Sequence, residues 1–280
     1  MTLKPEMRMV TLTENSAGLR REVLAEHGFS AYLEFGGRRL IFDSGQTTTA
    51  VHNARVLGVD LEGVPIALSH GHYDHTGGLL SLLKETGGVD VYAHPDVFAP
   101  RYSRREAVLR QIGIPFRRED LEKRGARFDL SRRARELFPG LWLTGEVHRL
   151  AEFEEASEDL VVLSEEGDII LDPILDDQAL VLVLKGGLFV LLGCAHSGMI
   201  NTLEHARSIT GEETILGVAG GTHLGFGGEY KLPKTIEALR GFDLEILAPS
   251  HCTGFAAASA LRSEFPEQFV KNSVGTVIEL

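Results

Sequence analysis

Short apolar runs separated by glycine pairs and charged residues dominate the chain. Residues 31–35 and 38–42 are two such runs around a Gly-Gly pair, and residues 179–194 contain two more around Lys-Gly-Gly. Both patterns predict β-hairpins, because glycine adopts the backbone angles that a tight turn requires. Residues 64–69 are apolar without polar alternation, which predicts a short strand covered on both faces.

The rest of the chain alternates between predicted strands and predicted helices. The predicted helices are residues 48–57, 77–83, 201–209, 234–240 and 256–262, and the predicted strands are residues 89–93, 141–144, 215–219, 244–248 and 274–278. Hairpins followed by strand–loop–helix units, twice over, indicate two sheets packed face to face with helices outside. We therefore expect one α/β domain over residues 1–280, with an Arg-rich helical insert at about residues 98–138.

The charge of the chain is unevenly distributed. The 280 residues include 28 Lys and Arg against 40 Asp and Glu, for a net charge of −12. Residues 101–135 depart from this balance, with twelve basic and five acidic residues. An acidic chain repels nucleic acid outside this segment, and the segment has few aromatic residues for base stacking, so nucleic-acid binding is not expected.

Two interpretations of the basic segment remain open. Its arginines either form ion pairs with the acidic run at residues 152–159, or they form a lid that binds an anionic or phosphorylated small molecule. In the second case the expected substrate contacts are Arg104, Arg105 and Arg110, since guanidinium groups match phosphate oxygens.

Several classes of protein are not expected from the composition. Two cysteines cannot form the disulfide framework of a small secreted domain. The first residues lack the apolar stretch of a signal peptide, and the longest apolar run is interrupted at residues 185–187. We therefore expect a cytoplasmic protein without a membrane span.

The sequence His70-Gly-His72-Tyr-Asp74-His75 places three imidazoles and a carboxylate directly after a predicted buried strand. Two histidines at i and i+2 of an extended chain point to the same side, and Asp74 and His75 can then face a second point close by. Imidazole nitrogens and carboxylate oxygens suit zinc, iron or manganese. The segment therefore predicts a metal site.

This segment resembles the HxHxDH signature of the metallo-β-lactamase superfamily. Residues 42–45, Phe-Asp-Ser-Gly, are similar to the structural Asp-Gly turn of that superfamily. Residues 193–198, 220–224 and 249–254 each place a histidine after a predicted strand and resemble the branch of metal-dependent hydrolases that includes the dihydropterin–ribofuranosylaminobenzene phosphate synthases. The resemblance implies a four-layer αββα sandwich with metals at one edge between the sheets.

The resemblance also implies the ligands. A first metal would be held by His70, His72 and His196, and a second by Asp74, His75 and His251. Asp43 would orient a ligand imidazole through a hydrogen bond. The expected cofactor is zinc, as one or two ions, with iron or manganese as alternatives.

The chain departs from the superfamily at the aspartate that bridges the metals in most members. Between the third and last ligand histidines the only aspartate is Asp243, before a strand. His223 lies where a bridging ligand would be expected, and it could instead be an acid–base residue, a substrate contact or a structural residue. In another register His148 is the third ligand and Cys194 the bridge; we favour His196. His27, His52, His94 and His205 lack ligand spacing and are expected to be surface or hydrogen-bonded core residues.

The resulting hypothesis is a hydrolase in which a metal-activated water attacks an ester, lactone or phosphoester. Asp74 would orient the nucleophile and His223 would donate a proton to the leaving group. Three alternatives stay open: a transferase of the dihydropterin–ribofuranosylaminobenzene phosphate synthase type, an RNA or nucleotide phosphodiesterase, and a diiron redox protein.

Overall fold

The protein is described from a computed structural model, which covers residues 5–19, 22–105, 108–155, 157–164, 167–226 and 230–280. In chain order the strands are β1 (Met7–Thr13), β2 (Ser30–Phe35), β3 (Arg38–Phe42), β4 (Ile66–Ala67), β5 (Asp90–Ala93), β6 (Arg101–Arg105), β7 (Val108–Gln111), β8 (Arg127–Leu130), β9 (Arg135–Phe138), β10 (Leu141–Leu143), β11 (Leu160–Leu163), β12 (Ile169–Leu171), β13 (Leu180–Leu184), β14 (Gly187–Leu192), β15 (Ile215–Gly221), β16 (Ile246–Ser250) and β17 (Val277–Glu279). The helices are α1 (Thr49–Leu57), α2 (Tyr73–Thr76), α3 (Leu79–Thr86), α4 (Arg118–Glu122), α5 (Met199–Thr210), α6 (Lys231–Leu239) and α7 (Phe255–Glu264).

Two sheets form the centre of the molecule. The first has the strand order β17-β1-β2-β3-β4-β5-β8, and the second has the order β16-β15-β14-β13-β10-β9. In each sheet an antiparallel hairpin is followed by parallel strands, β3 to β8 in the first and β14 to β16 in the second. A smaller third sheet has the order β12-β11-β6-β7.

Three apolar layers hold the sandwich together, and side-chain alternation explains them. In β14, Phe189 and Leu191 point to the layer between the two sheets, whereas Leu188 and Val190 point to the layer beneath α5, α6 and α7. The third layer lies between the first sheet and α1 and α3. Strands buried on both faces need apolar residues at every position, which is why their sequences lack polar alternation. The fold is the predicted four-layer αββα sandwich.

The prediction of a helical insert at residues 98–138 was wrong. Among the described residues of this segment only α4 is α-helical; β6 and β7 belong to the third sheet, and β8 and β9 are edge strands of the two large sheets. In β8 the residues Arg-Phe-Asp-Leu alternate between exposed and half-buried positions, which is the two-residue period of a strand on a surface. Because arginines stand at many positions of the segment, this alternation is difficult to recognise in the sequence.

The arginines of this segment also have other partners than the acidic run at residues 152–159. Arg101 binds Asp172 and Asp176, Arg127 binds Asp90, and Arg132 binds Asp96 and Glu146. The acidic run instead contacts the segment through the backbone, since the Arg104 N–H donates to the Asp159 carbonyl over 2.7 Å. Within the part of the chain that the structure describes, none of the helices is long and apolar enough to cross a membrane.

Candidate metal centre

The ends of four strands meet at one edge of the sandwich. The loop after β4 contains residues 70–75, β14 leads to residues 194–196, β15 leads to residue 223, and β16 leads to residue 251. Carboxyl ends of parallel strands lie at the same edge of a sheet, so side chains far apart in the sequence converge there. The structure brings together all six residues that the sequence predicts as ligands: His70, His72, Asp74, His75, His196 and His251.

One group consists of His70, His72 and His196. The Nε2 atom of His70 lies 2.9 Å from the Nδ1 atom of His72, and the His196 ring centre lies 4.8 Å and 4.9 Å from the other two rings. Burial lowers the pKa of all three, that of His72 to about 3, so the imidazoles are neutral. The Nε2 atoms of His72 and His196 are buried and find no hydrogen-bond partner among the described residues.

A second group consists of Asp74, His75 and His251. The Nε2 atoms of the two histidines are 3.2 Å apart, and Asp74 Oδ2 lies 3.3 Å from His251 Nε2. His27 belongs to the same group, because its Nε2 lies 3.1 Å from Asp74 Oδ2. The position of His27 in the sequence does not indicate this contact, and His27 was expected to be a surface or core residue. Only the tertiary fold brings it to the carboxylate.

Asp43 holds His75 as predicted. Its Oδ2 atom accepts hydrogen bonds over 2.7 Å from His75 Nδ1 and from the Ser69 hydroxyl, and its Oδ1 accepts from the Ser69 N–H. Burial by itself lowers the pKa of His75, but the carboxylates of Asp43 and Asp74 outweigh it and raise the pKa to about 9. The hydrogen bond to Nδ1 fixes the ring so that Nε2 points into the cluster.

Buried acidic side chains that the sequence analysis missed support the ligand loops. Asp176 accepts the Gly71 N–H between His70 and His72, and Asp177 accepts the Ser197 N–H next to His196. Gly71 must be glycine here, because a Cβ atom would lie 2.2 Å from the Val97 carbonyl oxygen. The two acids are neighbours in the sequence but have no regular spacing from the histidines, so their contacts could not be predicted from the sequence.

The loop that ends in His251 is held in the same way from the start of the chain. Glu14 accepts the His251 N–H over 2.7 Å, and Asn15 Oδ1 lies 2.8 Å from His251 Nδ1. The sequence analysis had assigned no role to either residue. In both groups, carboxylate or amide oxygens therefore bind the loops that carry the histidines and hold these loops in place.

Four non-glycine residues at this edge have left-handed backbone conformations. The φ angles of Asp43, Ala195, His223 and His251 lie between 51° and 60°. Such conformations are unfavourable for residues with a Cβ atom and concentrate at functional sites. In each case the strained residue is at or beside a side chain that points into the cluster.

The structure places His223 at the cluster and His148 away from it. The His223 ring lies 4.4 Å from that of His196 and 4.9 Å from that of Phe226. Burial, with a further contribution from Lys231, lowers the pKa of His223 to about 3. His148 is exposed and packs against His205, with ring centres 5.0 Å apart, so the register that made it a ligand is wrong.

The other three histidines are as expected. His52 is exposed and lies 2.7 Å from the Glu22 carbonyl oxygen. His94 is buried between Glu146 and the Asp96 N–H, and His205 is buried against the Thr144 carbonyl.

A cavity of about 510 Å³ opens above the cluster. Its floor includes His72, Asp74, His196, His223 and His251, and the strands β6 and β7 form part of its wall. The wall and floor meet at Tyr73 and Arg110, whose guanidinium lies 5.4 Å from the centre of the Tyr73 ring.

Of the three arginines expected to contact substrate, Arg110 lines the cavity. Ser103 in β6 lines it as well, and successive strand residues point to opposite faces, so Arg104 points away. The prediction for Arg104 was therefore wrong. The side chain of Arg105 lies outside the described residues.

The family model described as the metallo-beta-lactamase superfamily matches residues 25–251. The chain belongs to this superfamily. The match includes every residue of the two ligand groups.

Individual metallo-beta-lactamase superfamily relatives resemble the chain over nearly its whole length. The 7,8-dihydropterin-6-methyl-4-(beta-D-ribofuranosyl)-aminobenzene-5'-phosphate synthase of Methanocaldococcus jannaschii is 30% identical, with 98% of this chain and 96% of the relative covered. The crystal structure of Tm1679, described as a metal-dependent hydrolase of the beta-lactamase superfamily, has a TM-score of 0.84 and 29% identity over 98% of this chain and 99% of that chain. Zn(2+)-bound PqqB from Methylobacterium extorquens shares the fold, with a TM-score of 0.57 and 12% identity over 98% and 100% of the two chains.

The residues at the edge of the sandwich fit a transition metal. Metals bind neutral imidazole, and burial keeps His70, His72 and His196 neutral. The unpartnered Nε2 atom of His196 is the kind of buried polar group that a bound ion satisfies. His72 turns its Nδ1 atom toward His70, with 2.9 Å between this atom and the His70 Nε2. Ligand atoms of His75 and His251 with Cys194, and of His70 and His196 with Cys194, each lie within 4.8 Å of one another.

Proposed function

We propose that the protein is a metal-dependent hydrolase of a small anionic ester, lactone or phosphoester. The observation that carries this proposal is the position of the two ligand groups on the floor of an open cavity of about 510 Å³. A cavity of this volume accommodates a small molecule, and its reactive bond would lie directly above the ligand residues.

In this proposal His70, His72 and His196 hold one ion, and Asp74, His75 and His251 hold the second. Zinc is the expected metal because imidazole-rich sets suit it, and iron and manganese are the alternatives. When bound, the metal supplies Lewis acidity and allows water to lose a proton near neutral pH.

Side chains of the cavity floor position the reactants. Asp74 Oδ2 lies within 3.3 Å of both His27 and His251, and the carboxylate can also accept a hydrogen bond from the attacking water. The imidazole of His223 is neutral at pH 7, since burial lowers its pKa to about 3. We therefore assign His223 a hydrogen bond to the leaving group through its ring N–H, in place of the proton donation expected from the sequence.

Arg110 provides the contact for a negatively charged substrate. Its guanidinium lies against the Tyr73 ring, with an Nη2 atom 3.4 Å from the Tyr73 hydroxyl. The stacked ring holds the guanidinium at the cavity wall, and a guanidinium can form two parallel hydrogen bonds to a phosphate. The substrate class that this arrangement favours is a phosphorylated small molecule.

The test combines elemental analysis of the purified protein with hydrolysis assays in ¹⁸O-labelled water. Wild-type protein should retain transition metal and incorporate ¹⁸O into the product of a lactone, a phosphodiester or a phosphomonoester. His72→Ala should lose both the metal and the turnover, whereas His52→Ala, at an exposed histidine outside the cluster, should retain both. Wild-type protein that binds no transition metal would contradict the proposal.

A transferase is the second candidate. The observation in its favour is the 30% identity over 98% of the chain to a relative named as a synthase. The same site would then activate a leaving group for attack by a second substrate in place of water. Formation of a new bond from a pterin and a ribosylaminobenzene phosphate, without ¹⁸O incorporation from water, would favour the transferase.

The structure offers no comparable support for an RNA or nucleotide phosphodiesterase. The basic residues of the segment 101–135 are distributed over three sheets. Several of them already pair with acids, among them Arg101, Arg127 and Arg132. These ion pairs reduce the positive charge that the segment could offer to a phosphate backbone.

A further inference from the structure

Cys194 occupies a position between the two ligand groups. Its Sγ atom lies within 4.8 Å of ligand atoms of His70 and His196, and also within 4.8 Å of those of His75 and His251. The closest of these contacts is 3.1 Å, to His75 Nε2. Among the described residues, Cys194 is the one cysteine that belongs to both groups.

We propose that the thiolate of Cys194 bridges the two metal positions and replaces the aspartate that the sequence lacks there. This inference rests on the metal site of the proposed function, and it adds a ligand and a bridging role to that site. A thiolate supplies one negative charge, as a carboxylate does, and sulfur is a preferred ligand of zinc.

The distances agree with shared coordination. Zinc binds nitrogen at about 2.0–2.1 Å and sulfur at about 2.3 Å, so neighbouring ligand atoms of a tetrahedral site are about 3.3–3.6 Å apart. The contacts of His75 Nε2 with Cys194 Sγ at 3.1 Å and with His251 Nε2 at 3.2 Å are close to this separation. The side chains of Cys194, His75 and His251 are therefore close enough together to hold one ion between them.

The backbone at the end of β14 explains how Cys194 and His196 both reach the site. Ala195 between them has a φ of 51°, a left-handed conformation that is unfavourable for a residue with a Cβ atom. The preceding residue must be glycine, because a Cβ atom at Gly193 would lie 2.1 Å from the Ser69 hydroxyl. Gly193, the residue before Cys194, therefore packs against the Ser69–Asp43 pair that orients His75.

Asp43, another acidic residue beside the cluster, already has hydrogen-bond partners. The Asp43 carboxylate accepts hydrogen bonds on both oxygens, from Ser69 and from His75. Asp74 lies on the side of His27 and His251. Cys194 is thus the anionic ligand that the fold places between the groups.

Cys252 provides a matched control. It is also buried beside a ligand residue, but its Sγ accepts the His223 N–H over 3.2 Å and lies 3.6 Å from the Cys194 carbonyl oxygen. It belongs to neither ligand group. Since the chain has two cysteines, Cys252→Ser leaves Cys194 as the only source of a sulfur–metal signal.

The experiment replaces the native metal with Co²⁺ and records the near-ultraviolet absorption together with the number of ions per chain. Wild-type protein and Cys252→Ser should show the sulfur-to-cobalt charge-transfer band, and Cys194→Ser and Cys194→Asp should lack it. Cys194→Ser should bind the metal at least about tenfold more weakly, since even residues that only support a ligand contribute tenfold or more. Cys194→Asp should restore much of this affinity, because it supplies a carboxylate.

The outcomes separate this inference from the proposed function. Wild-type protein that binds cobalt without the sulfur band would overturn the bridging role of Cys194 and leave the metal-dependent hydrolase intact. A band that persists in Cys194→Ser or disappears in Cys252→Ser would overturn it as well. If Cys194→Ser does not fold, the band of Cys252→Ser still decides, because no other thiol remains.

Discussion

The buried ion pair behind the first ligand loop allows a quantitative test of the structure. Arg101 is 2% exposed, its two terminal nitrogens each lie 2.6 Å from an oxygen of Asp176, and its Nε lies 2.6 Å from Asp172. Asp176 in turn accepts the Gly71 N–H. Replacement of Arg101 by leucine therefore leaves two buried carboxylates without their cation.

The expected cost follows from this burial. Removal of one partner from a buried ion pair destabilises a protein by about 3–5 kcal/mol, because the remaining charge has lost both water and its counterion. For a protein of this size, each kcal/mol lowers the melting temperature by about 2–4 °C. Arg101→Leu should therefore lower the melting temperature by about 10 °C.

Urea unfolding and thermal unfolding, both followed by circular dichroism, measure this loss. Arg104→Leu is the matched control, since Arg104 lies in the same strand but is exposed, and it should change stability by less than about 0.5 kcal/mol. A loss of less than about 1 kcal/mol in Arg101→Leu would show that the carboxylates do not depend on the guanidinium, and the reasoning would fail.

Two further predictions concern Arg110 in the wall of the cavity and the pH dependence of stability. Arg110→Gln should raise KM for a phosphorylated substrate by about tenfold without changing kcat, because a charge-assisted hydrogen bond is lost, while Arg104→Gln should leave steady-state kinetics unchanged. In protein freed of metal by a chelator, the raised pKa of His75 stabilises the fold fully below pH 6.5, and this contribution should disappear as pH rises through about 9. Urea unfolding between these pH values measures the effect. Asp43→Asn, which removes the carboxylate hydrogen-bonded to His75, should flatten the dependence of stability on pH. An unchanged slope in this variant would contradict the role of Asp43 in raising the pKa of His75.

The six residues that the structure brings together could be selected from the sequence because of where they lie. His70, His72, Asp74 and His75 are close in sequence, and His196 and His251 each follow an apolar run. Apolar runs that are covered on both faces are easily recognised as strands, so the edge at which they end can be predicted. The two large sheets were predictable for the same reason.

The supporting residues could not be found in this way. Glu14, Asp176 and Asp177 bind loop N–H groups through contacts between distant parts of the chain. An isolated acidic residue has no period or spacing that distinguishes a buried acceptor from a surface charge. His27 was missed for the same reason, since only the fold brings it to Asp74.

The third sheet was missed for a different reason. Its strands β11 and β12 are short, and β11, which pairs with β12, also pairs with β6 across more than fifty residues of sequence. The edge strand Ile169–Leu171 is apolar at every position yet exposed, so neither alternation nor burial marks it as part of a sheet. Strand pairing over such a separation depends on tertiary contacts, which local patterns do not record.

The strand β6 connects the wall of the cavity to the histidine cluster on its floor. Its first residue, Arg101, holds Asp176 and through it the Gly71 loop, while Ser103 two residues later faces the cavity. Substitution at Arg101 would therefore disturb the ligands, whereas Val108 and Arg110 of β7 face the cavity without contributing to the buried ion pair. We therefore expect that substitutions in β7 can change substrate preference while the histidines keep their positions. The floor and the wall are held by different contacts, so their residues are under different constraints.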